Sequence, residues 1–257
     1  MKNIGMLTVR NEIDIIDEFL DNVEQYFEDI VVMDDSNDST RERLQKRNCI
    51  KYLVYFEDVY DINSKRTDGQ KQHLLKYVQE QYGNVWITNL NADAFFMNDP
   101  NKAIQVAEKE NSSFVQWRVY DFGLHENDRS DYNRDKESWL SKNVVDRVTY
   151  VYDNYEFYEN LQFKVNEKCY FDVSSHHIVV PIGISGKVAS IKPVLFHYPY
   201  RSPEQIIKRR DDRVLTGFQA SEYFEDMIQM GGFVIQRRGY PLVSRDKIDF
   251  SIIKEME

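Results

Sequence analysis

Two polar residues, Asn91 and Asp93, follow a strand-like run at residues 85–90 (VWITNL) and are the best candidates for chemistry in this 257-residue chain. The run is typical of a buried strand, and open α/β sheets bind their ligands just beyond the carboxyl ends of such strands. Carboxylate and amide oxygens suit hard divalent cations, and these cations commonly carry phosphate groups. The spacing therefore predicts a metal and phosphate site directly after this strand.

Acidic side chains also follow the other runs that are typical of buried strands. Those runs cover residues 3–9, 30–33, 52–56 and 114–120, and the acids that follow them are Glu12, Asp34 with Asp35, Glu57 with Asp58, and Asp121. The carboxyl ends of parallel strands meet at one edge of a sheet, so these acids are expected to gather there. An acidic edge of this kind requires a cation, and a divalent cation with oxygen ligands is the simplest choice.

Helical patterns alternate with these strands over residues 3–122. Apolar residues recur at helical spacing in residues 16–27 and 70–82, residues 36–47 are helix-like, and Asp99 followed by Pro100 forms a good helix start. This alternation predicts βαβ units, and hence an α/β fold with a mostly parallel central sheet flanked by helices.

The pattern changes after residue 122. Residues 123–143 are polar and charged with few apolar anchors, which indicates a long loop. Further on, residues 202–205 (SPEQ) have the form of a helix start with a capping box. The second half of the chain is therefore expected to be less regular than the first.

Composition narrows the possible partners. The formal net charge of −10 disfavours a nucleic-acid binder, since phosphate backbones require clustered Lys and Arg. No stretch approaches the roughly 18 consecutive apolar residues of a membrane helix. The amino terminus has a shorter apolar run than a signal peptide, and Cys49 and Cys169 stand far apart without metal-ligand spacing. We therefore expect a cytoplasmic protein with reduced thiols and no membrane span.

Two common nucleotide-binding motifs are absent from the sequence. The turn after the first strand reads Arg10-Asn11-Glu12 and lacks the Gly-x-Gly-x-x-Gly that lets a backbone approach a pyrophosphate. No Gly-x4-Gly-Lys-Ser/Thr motif occurs either, which excludes a P-loop nucleotide triphosphatase. A sugar nucleotidyltransferase is disfavoured for a similar reason, because it needs a glycine-rich triphosphate loop after strand one.

Three segments together resemble family 2 glycosyltransferases with a GT-A fold. They are residues 8–12 (TVRNE), residues 30–40 (IVVMDDSNDST) and residues 90–93 (LNAD), and a block at residues 197–205 (HYPYRSPEQ) is similar to one found in a subset of these proteins. The resemblance implies that residues 1–122 form a nucleotide-sugar-binding α/β half. Residues 123–257 would form an acceptor-side and C-terminal closing region within one continuous domain.

The resemblance also implies roles for single residues. Residues implied to lie at the nucleotide-sugar pocket are Thr8 and Asp35, at the base or ribose, with Asn11, Glu12, Asn91 and Asp93. Asp93 is the implied ligand of Mn²⁺ or Mg²⁺. Asn91 stands where the family usually has aspartate, which removes one charge, and the strand-two loop lacks the family's glycine. Magnesium commonly uses one or two carboxylates plus substrate phosphates, so Asp93 with the donor diphosphate is sufficient.

Sugar transfer requires a base that takes the proton of the acceptor hydroxyl. By analogy with the family, the base comes from the segment after strand five, where Asp128 is preferred over Asp121 and Glu126. Each of these three could equally be a surface acid.

Sugar transfer also requires positive charge beside the leaving nucleoside diphosphate. Arg66 and Arg201 are the candidates to contact the diphosphate. His197 ends an apolar run before a block of aromatic and basic residues, and it is a candidate metal ligand; the alternative is a packed core histidine.

The expected function is that of a glycosyltransferase, of hexosyl or deoxyhexosyl type, that is inverting and assisted by Mn²⁺ or Mg²⁺. It would move a sugar from a nucleotide-diphosphate donor to a hydroxyl of a glycan or small-molecule acceptor, with no nucleic-acid partner. The alternative is a non-catalytic binding module for a nucleotide sugar or glycan, in which Asn91 marks lost metal chemistry. Donor, acceptor and linkage stay open.

Overall fold

The computed structural model describes residues 2–60, 68–152, 157–171, 180–215, 228–229, 231–233, 236–237 and 240–248. The strands are β1 (Asn3–Val9), β2 (Ile30–Asp34), β3 (Ile50–Tyr55), β4 (Trp86–Leu90), β5 (Ala94–Phe96), β6 (Phe114–Gly123), β7 (Tyr150–Tyr152), β8 (Phe157–Lys164), β9 (Val194–His197), β10 (Gln236–Arg237) and β11 (Tyr240–Ser244). The helices are α1 (Ile16–Val23), α2 (Thr40–Leu44), α3 (Phe56–Val59), α4 (Asp68–Tyr82), α5 (Pro100–Lys109), α6 (Glu126–Arg134), α7 (Lys136–Leu140), α8 (Val144–Arg147) and α9 (Pro203–Leu215).

The chain divides into two units. The first comprises Met1–Arg118, Tyr158–Leu195 and Ile252–Glu257, and the second comprises Val119–Phe157 and Phe196–Ser251. Strand β6 begins in the first unit and ends in the second. Within the residues that the structure describes, no helix is long and apolar enough to span a membrane.

The first unit is built on a sheet in which β3, β2, β1 and β4 lie side by side in that order and run parallel. Strand β8 pairs antiparallel with β4 on the far side from β1. The chain moves outward from β1 to β2 and β3 and then returns to the other side of β1 as β4. We call the place between β1 and β4, where the direction of winding reverses, the switch point. Open α/β sheets bind their ligands beyond the carboxyl ends of the strands at such a point.

Both faces of β1, β2 and β4 are buried, which explains why these strands have apolar residues on both faces rather than in alternation. Ile4 and Met6 of β1 pack in one hydrophobic cluster with Leu75 and Val78 of α4. On the other face of β1 the chain has Gly5, where a Cβ atom would lie 2.8 Å from Leu90 Cδ1. A glycine is therefore required here by the close approach of neighbouring side chains.

A chain of buried hydrogen bonds joins four strands of the first unit and centres on Gln162 of β8. Its Nε2 donates to Thr88 Oγ1 at 3.0 Å and to the Pro100 carbonyl at 3.0 Å, and its Oε1 accepts from Trp117 Nε1 at 3.1 Å. Thr88 in turn donates to Asn3 Oδ1 at 2.8 Å. Since buried polar groups are costly unless they are paired, this network fixes the position of β8 beside β4.

The second unit contains an antiparallel sheet. The end of β6 pairs with β7, β7 pairs with β11, and β11 pairs with β10. Aromatic rings line its interior: Phe122 lies 4.9 Å from Phe196 and is stacked on Tyr198 at 4.7 Å, measured between ring centroids. The mostly parallel sheet predicted from sequence is thus confirmed for β1 to β4, and β8, which joins it beside β4, is antiparallel.

The prediction of a long loop at residues 123–143 is wrong, because most of this segment forms α6 and α7. No residue of α6 is buried, so the helix lacks the apolar stripe on which sequence prediction depends. Its start is held by a capping box in which His125 Nδ1 accepts the N–H of Asn127 at 3.1 Å and Asp128 Oδ2 accepts the N–H of His125 at 2.9 Å.

Two other predicted elements have different bounds. The helix expected at residues 36–47 is only α2, Thr40–Leu44, because the residues before it bond to the loop after β1. Strand β6 extends to Gly123, so Asp121 lies within the strand rather than after it. The predicted helix starts are confirmed: Asp99 accepts the N–H of Asn101 at 2.7 Å, and Ser202 Oγ accepts the N–H of Gln205 at 3.1 Å.

Candidate active site

Hydrogen bonds from backbone amides to side chains join the loops that follow β1 and β2. The N–H of Asn11 donates to Ser36 Oγ at 2.9 Å, the N–H of Asn37 donates to Asn11 Oδ1 at 2.9 Å, and the N–H of Glu12 donates to Thr40 Oγ1 at 3.0 Å. Each bond joins a backbone amide of one loop to a side chain of the other. We call residues 10–12 and 35–40 the laced loops.

Asn11 has a left-handed backbone, with φ of 57°. Asparagine tolerates this conformation better than most residues, and its carboxamide also accepts the bond from Asn37. The carbonyl of Glu12 then accepts the N–H groups of Ile15 and Ile16 at 3.0 and 2.8 Å, which begins α1. The order Asn-Glu after β1 is thus explained by a tight turn into a helix.

Asp34, the last residue of β2, is fully buried and holds its loop in place. Its Oδ1 accepts the N–H of Ser36 at 3.0 Å, and its Oδ2 accepts from Arg41 Nε at 2.9 Å. Arg41 also donates to Glu57 Oε1 at 2.8 Å and lies 3.9 Å from the centroid of the Tyr55 ring. The first acid of the Asp-Asp pair therefore has a structural role.

Asp35, the second acid of the pair, is 9% exposed and contacts Arg10. Arg10 Nη1 donates to Asp35 Oδ2 at 2.9 Å and to the Asp35 carbonyl at 3.0 Å. Thr8, half-buried, precedes Arg10 by two residues in β1 and pairs in register with Met33 of β2. Sequence reasoning identified Thr8 and Asp35 but missed Arg10, although it stands between Thr8 and the Asn-Glu pair.

The turn after β4 brings Asp93 to the switch point. The N–H of Ala94 donates to the Asn91 carbonyl at 3.0 Å, so residues 91–94 form a tight turn. Asp93 is 5% exposed, whereas Asn91 is exposed. Strand β5, which sequence reasoning did not predict, follows at once, and Asn22 of α1 fixes it by bonding both the N–H and the carbonyl of Phe96 at 2.9 and 3.3 Å.

A metal ion at Asp93 would need further ligands in addition to this one carboxylate. Across the described ranges, no three His, Cys, Asp or Glu side chains form a group that could hold a metal. A single buried carboxylate nevertheless fits a magnesium-type site, because that ion commonly takes one or two carboxylates and completes its shell with substrate phosphates and waters.

In the second unit, Asp121 and His197 form a close pair. Asp121 Oδ1 lies 2.6 Å from His197 Nδ1, and the Asp121 side chain is 5% exposed while that of His197 is 24% exposed. A carboxylate can only accept, so Nδ1 carries a proton, and Nε2 has a lone pair whenever the ring is neutral. Histidines that bind metals usually have their other ring nitrogen held by a carboxylate in this way.

Asp128 and Glu126 lie in the first turn of α6, in the second unit. Burial raises the pKa of Asp128 to about 6, against the opposing effect of its bond from the His125 N–H. Glu126 is exposed. Of the three acids that sequence reasoning considered as the base, Asp128 is the one whose carboxyl group is both accessible and shifted towards neutral pH.

Arg201 lies between β9 and α9 and is fully buried. Its Nη1 donates to the Tyr198 carbonyl at 3.1 Å, and its backbone N–H donates to Gln205 Oε1 at 3.2 Å. The side chain of Gln205 therefore accepts a hydrogen bond from the residue that precedes Ser202, the N-cap of α9. Arg66, the other expected phosphate ligand, lies outside the described residues.

Comparisons with known proteins gave a family match and similar solved structures. The family model described as Glycosyl transferase family 2 matches residues 6–177, which is more than half of the chain. Among solved structures, HddC from Yersinia pseudotuberculosis is similar with a TM-score of 0.40 and 12% identity, over 81% of this chain and 97% of that one. No curated protein matches the chain.

Proposed function

Because the chain belongs to glycosyl transferase family 2 and is therefore a glycosyltransferase, we propose that it moves a sugar from a nucleoside-diphosphate donor to a hydroxyl of a glycan-type acceptor. The fold is the GT-A fold. The observation that supports the proposal best is the polar edge of the first unit, where Asn11, Glu12, Asp35 and Asp93 lie at the carboxyl ends of β1, β2 and β4. In the proposal, residues 1–122 bind the donor and residues 123–257 serve the acceptor.

The laced loops bind the nucleoside in this proposal, and the turn at Asp93 binds the diphosphate. The hydrogen bonds that join the loops support this, because a site that is already rigid loses little entropy when the ligand binds. Thr8 and Asp35 contact the base or ribose. Arg201 and Arg66 are the proposed sources of positive charge for the diphosphate.

Asp93 is the proposed ligand of a divalent cation, and His197 is a proposed further ligand through Nε2. The pairing of His197 Nδ1 with Asp121 supports the second assignment. When bound, Mn²⁺ or Mg²⁺ would neutralise charge on the leaving diphosphate. Asp93 would help to orient that group, and Asp121 would hold the His197 imidazole in the tautomer that a ligand needs.

Asp128 is the proposed base of an inverting single displacement. It takes the proton of the acceptor hydroxyl, the hydroxyl oxygen bonds to the anomeric carbon of the sugar, and the bond from that carbon to the diphosphate breaks. A pKa raised to about 6 makes Asp128 a stronger base than an ordinary aspartate. Glu126 and Asp121 are the other acids of the same segment.

A panel of nucleotide sugars tests the proposal. We expect release of nucleoside diphosphate that depends on Mn²⁺ or Mg²⁺ and stops with EDTA. Asp93→Ala is expected to lower this metal-dependent turnover by about a hundredfold or more. The matched control is Asp21→Ala, an exposed carboxylate of α1 in the same unit, which is expected to leave turnover unchanged.

Other outcomes point elsewhere. If a nucleotide sugar binds but no metal or acceptor gives turnover, the protein is a binding module. The exposed Asn91, which stands in place of an acid, favours that alternative. Full metal-dependent turnover by Asp93→Ala would remove the central assignment. Absence of any nucleotide-sugar binding would overturn the proposed function altogether.

A further inference from the structure

His125, in the second unit, holds its imidazole ring in a single tautomer. Its Nδ1 accepts the backbone N–H of Asn127 at 3.1 Å, so this nitrogen carries no proton. Burial lowers the pKa of the ring below its ordinary value, against the opposing effect of Glu126, and the ring is therefore neutral at neutral pH. A neutral imidazole without a proton on Nδ1 carries its proton on Nε2, so Nε2 is a hydrogen-bond donor.

Tyr150 of β7 fixes the plane of this imidazole ring. The two rings are stacked, with their centroids 4.1 Å apart and an angle of 13° between their planes. Asn127 holds both partners, because its backbone N–H donates to His125 Nδ1 and its Nδ2 donates to the Tyr150 hydroxyl at 2.8 Å. The orientation of the donor at Nε2 is therefore set before a ligand binds, which lowers the entropy cost of binding.

Asp128 supplies a hydrogen-bond acceptor in the same helical turn. Its Oδ2 accepts the backbone N–H of His125 at 2.9 Å, which ties the carboxylate to the residue that carries the imidazole. Among the residues that the structure describes, neither Asp128 Oδ1 nor His125 Nε2 makes a hydrogen bond. Both residues are half-buried, so hydrogen bonds made to them are partly shielded from water. Together they offer a ligand one acceptor and one donor.

Helix capping alone does not explain a histidine at position 125. Asn, Asp and Ser are the preferred N-cap residues, and their side chains accept a backbone N–H in the same way. The chain uses aspartate for this task at Asp99 and Asp135, the N-caps of α5 and α7. What the imidazole of His125 adds is a second nitrogen, Nε2, whose N–H is not used in the cap.

Two neighbouring hydroxyl groups of a sugar match this donor and acceptor. One hydroxyl donates its proton to Asp128 Oδ1, as the proposed base requires, and the oxygen of the adjacent hydroxyl accepts the N–H of His125 Nε2. A deoxy position beside the first hydroxyl would leave the His125 donor without an acceptor. Since a half-buried donor that is left unpaired costs free energy, such a ligand would bind less well.

We propose that His125 and Asp128 together bind two neighbouring hydroxyl groups of an acceptor sugar, and that His125 is a specificity-determining residue of the acceptor site. The inference rests on the proposed function and names the chemistry of its acceptor, which is a sugar hydroxyl with a free hydroxyl on the adjacent carbon. Asp128 takes the proton of the hydroxyl that is transferred to, and His125 contacts the neighbouring hydroxyl.

The test compares acceptors with and without the neighbouring hydroxyl. Methyl glycosides of glucose, galactose and mannose are assayed for faster release of nucleoside diphosphate from nucleotide sugars, and the best of them is compared with its singly deoxygenated analogues. The analogue that lacks the transferred hydroxyl should give no turnover above the acceptor-free rate. The analogue that lacks the hydroxyl beside it should have a kcat/KM lowered by about tenfold, as expected for the loss of one hydrogen bond.

His125→Asn separates recognition of the acceptor from capping of α6. Asparagine is a preferred N-cap, so the free energy of unfolding should be preserved while the Nε2 donor is lost. We expect kcat/KM for the full acceptor to fall by about tenfold, and the difference between this acceptor and its deoxy analogue to disappear. His125→Ser serves the same purpose if the Asn variant is unstable. Asp135→Asn, a conservative change of the N-cap of α7, is the matched control and should alter neither quantity.

The inference is overturned if the deoxy analogue is as good an acceptor as its parent, or if both His125 variants keep the wild-type kcat/KM and discrimination. It is also overturned if none of the glycosides speeds the release of nucleoside diphosphate from a nucleotide sugar that the protein cleaves. In each of these cases the donor is still cleaved, so the proposed transferase chemistry stands. If no nucleotide sugar is cleaved at all, the proposed function itself fails, and the two failures are thereby distinguished.

Discussion

At the scale of single residues, Asp128 combines a structural cost with the proposed chemistry. Burial raises the pKa of its carboxyl group from 3.8 to about 6 in the folded protein. Because the folded pKa lies above the unfolded one, the contribution of Asp128 to stability is fully present below the unfolded value and is lost as the pH rises through about 6. At neutral pH the charged carboxylate therefore destabilises the fold.

Asp128→Asn is accordingly expected to stabilise the protein and to inactivate it. The amide can still accept the His125 N–H, and it removes the buried charge, so the free energy of unfolding at roughly pH 8 should rise by about 1 kcal/mol once solvent screening is considered. At roughly pH 4 the gain should vanish. Urea unfolding at the two pH values measures this difference.

The rate of the same variant tests the proposed base. Loss of a general base lowers turnover by about 10²- to 10⁴-fold, and wild-type kcat/KM should rise with pH up to about 6 and then level off. Glu126→Gln, which changes an exposed acid in the same helical turn, is the control and should alter neither quantity. Retention of normal turnover by Asp128→Asn would assign the base to another residue.

Single acids at strand ends could be predicted from sequence, whereas their partners could not. Asp35 stands just after the apolar run of β2, and Asp93 stands in the turn after β4. Burial of such acids at a sheet edge is a regular feature of α/β folds. Arg10 and Arg41 are different, because their importance depends on bonds to Asp35 and Asp34. An arginine in a charged chain carries no local signal of such a partner.

At the scale of elements, Arg41 anchors the short helix α2 to the end of β2. It pairs with the fully buried Asp34 and with Glu57, and it stacks on Tyr55. We expect Arg41→Ala to lower the free energy of unfolding by about 2–3 kcal/mol, because it leaves a buried carboxylate with fewer partners.

Arg43 of the same helix provides the comparison. Its pair with Asp17 spans 3.4 Å, and the two side chains are 48% and 44% exposed. Arg43→Ala should therefore change the stability by less than about 0.5 kcal/mol. Equal losses in the two variants, measured by urea unfolding, would show that Asp34 does not depend on Arg41.

The elements that sequence reasoning found and missed differ in what stabilises them. Helix α1 was predicted because its apolar residues recur at helical spacing and are buried. Helix α6 was missed because none of its residues is buried and because its N-cap is His125, which is an unusual capping residue. Strand β5 was missed because its three residues gain their structure from pairing with β9, far away in the sequence.

At the scale of the whole molecule, the first unit depends on strands that join its sheet late in the chain. Gln162 of β8 makes the buried bonds that link this strand to Thr88, Pro100 and Trp117. Gln162→Ala leaves these groups without their partner and opens a cavity, so the free energy of unfolding should fall by about 3 kcal/mol.

Gln25→Ala is the control for that variant. Gln25 is exposed and bonds only locally, to the Asn22 carbonyl at 2.8 Å, so we expect a change of less than about 0.5 kcal/mol. Unfolding followed by tryptophan fluorescence measures both variants. A loss at Gln162 no greater than that at Gln25 would rule out the network as a determinant of stability.

The chain as a whole was predictable where neighbouring elements in sequence are neighbours in space. Strands β1, β2 and β3 follow that rule, and β4, which returns to the other side of β1, continues the expected parallel βαβ pattern. Strand β8 breaks it, since it inserts beside β4 after more than sixty intervening residues. Periodicity within a segment contains no information about such a distant partner, so the second half of the chain was anticipated only in outline.

The laced loops set a rule for protein engineering. Three of the bonds between them each join a backbone amide of one loop to a side chain of the other. A graft of one loop alone therefore leaves backbone amides of these loops without acceptors. A design that alters this edge of the sheet has to transplant residues 10–12 and 35–40 together, as a single cassette.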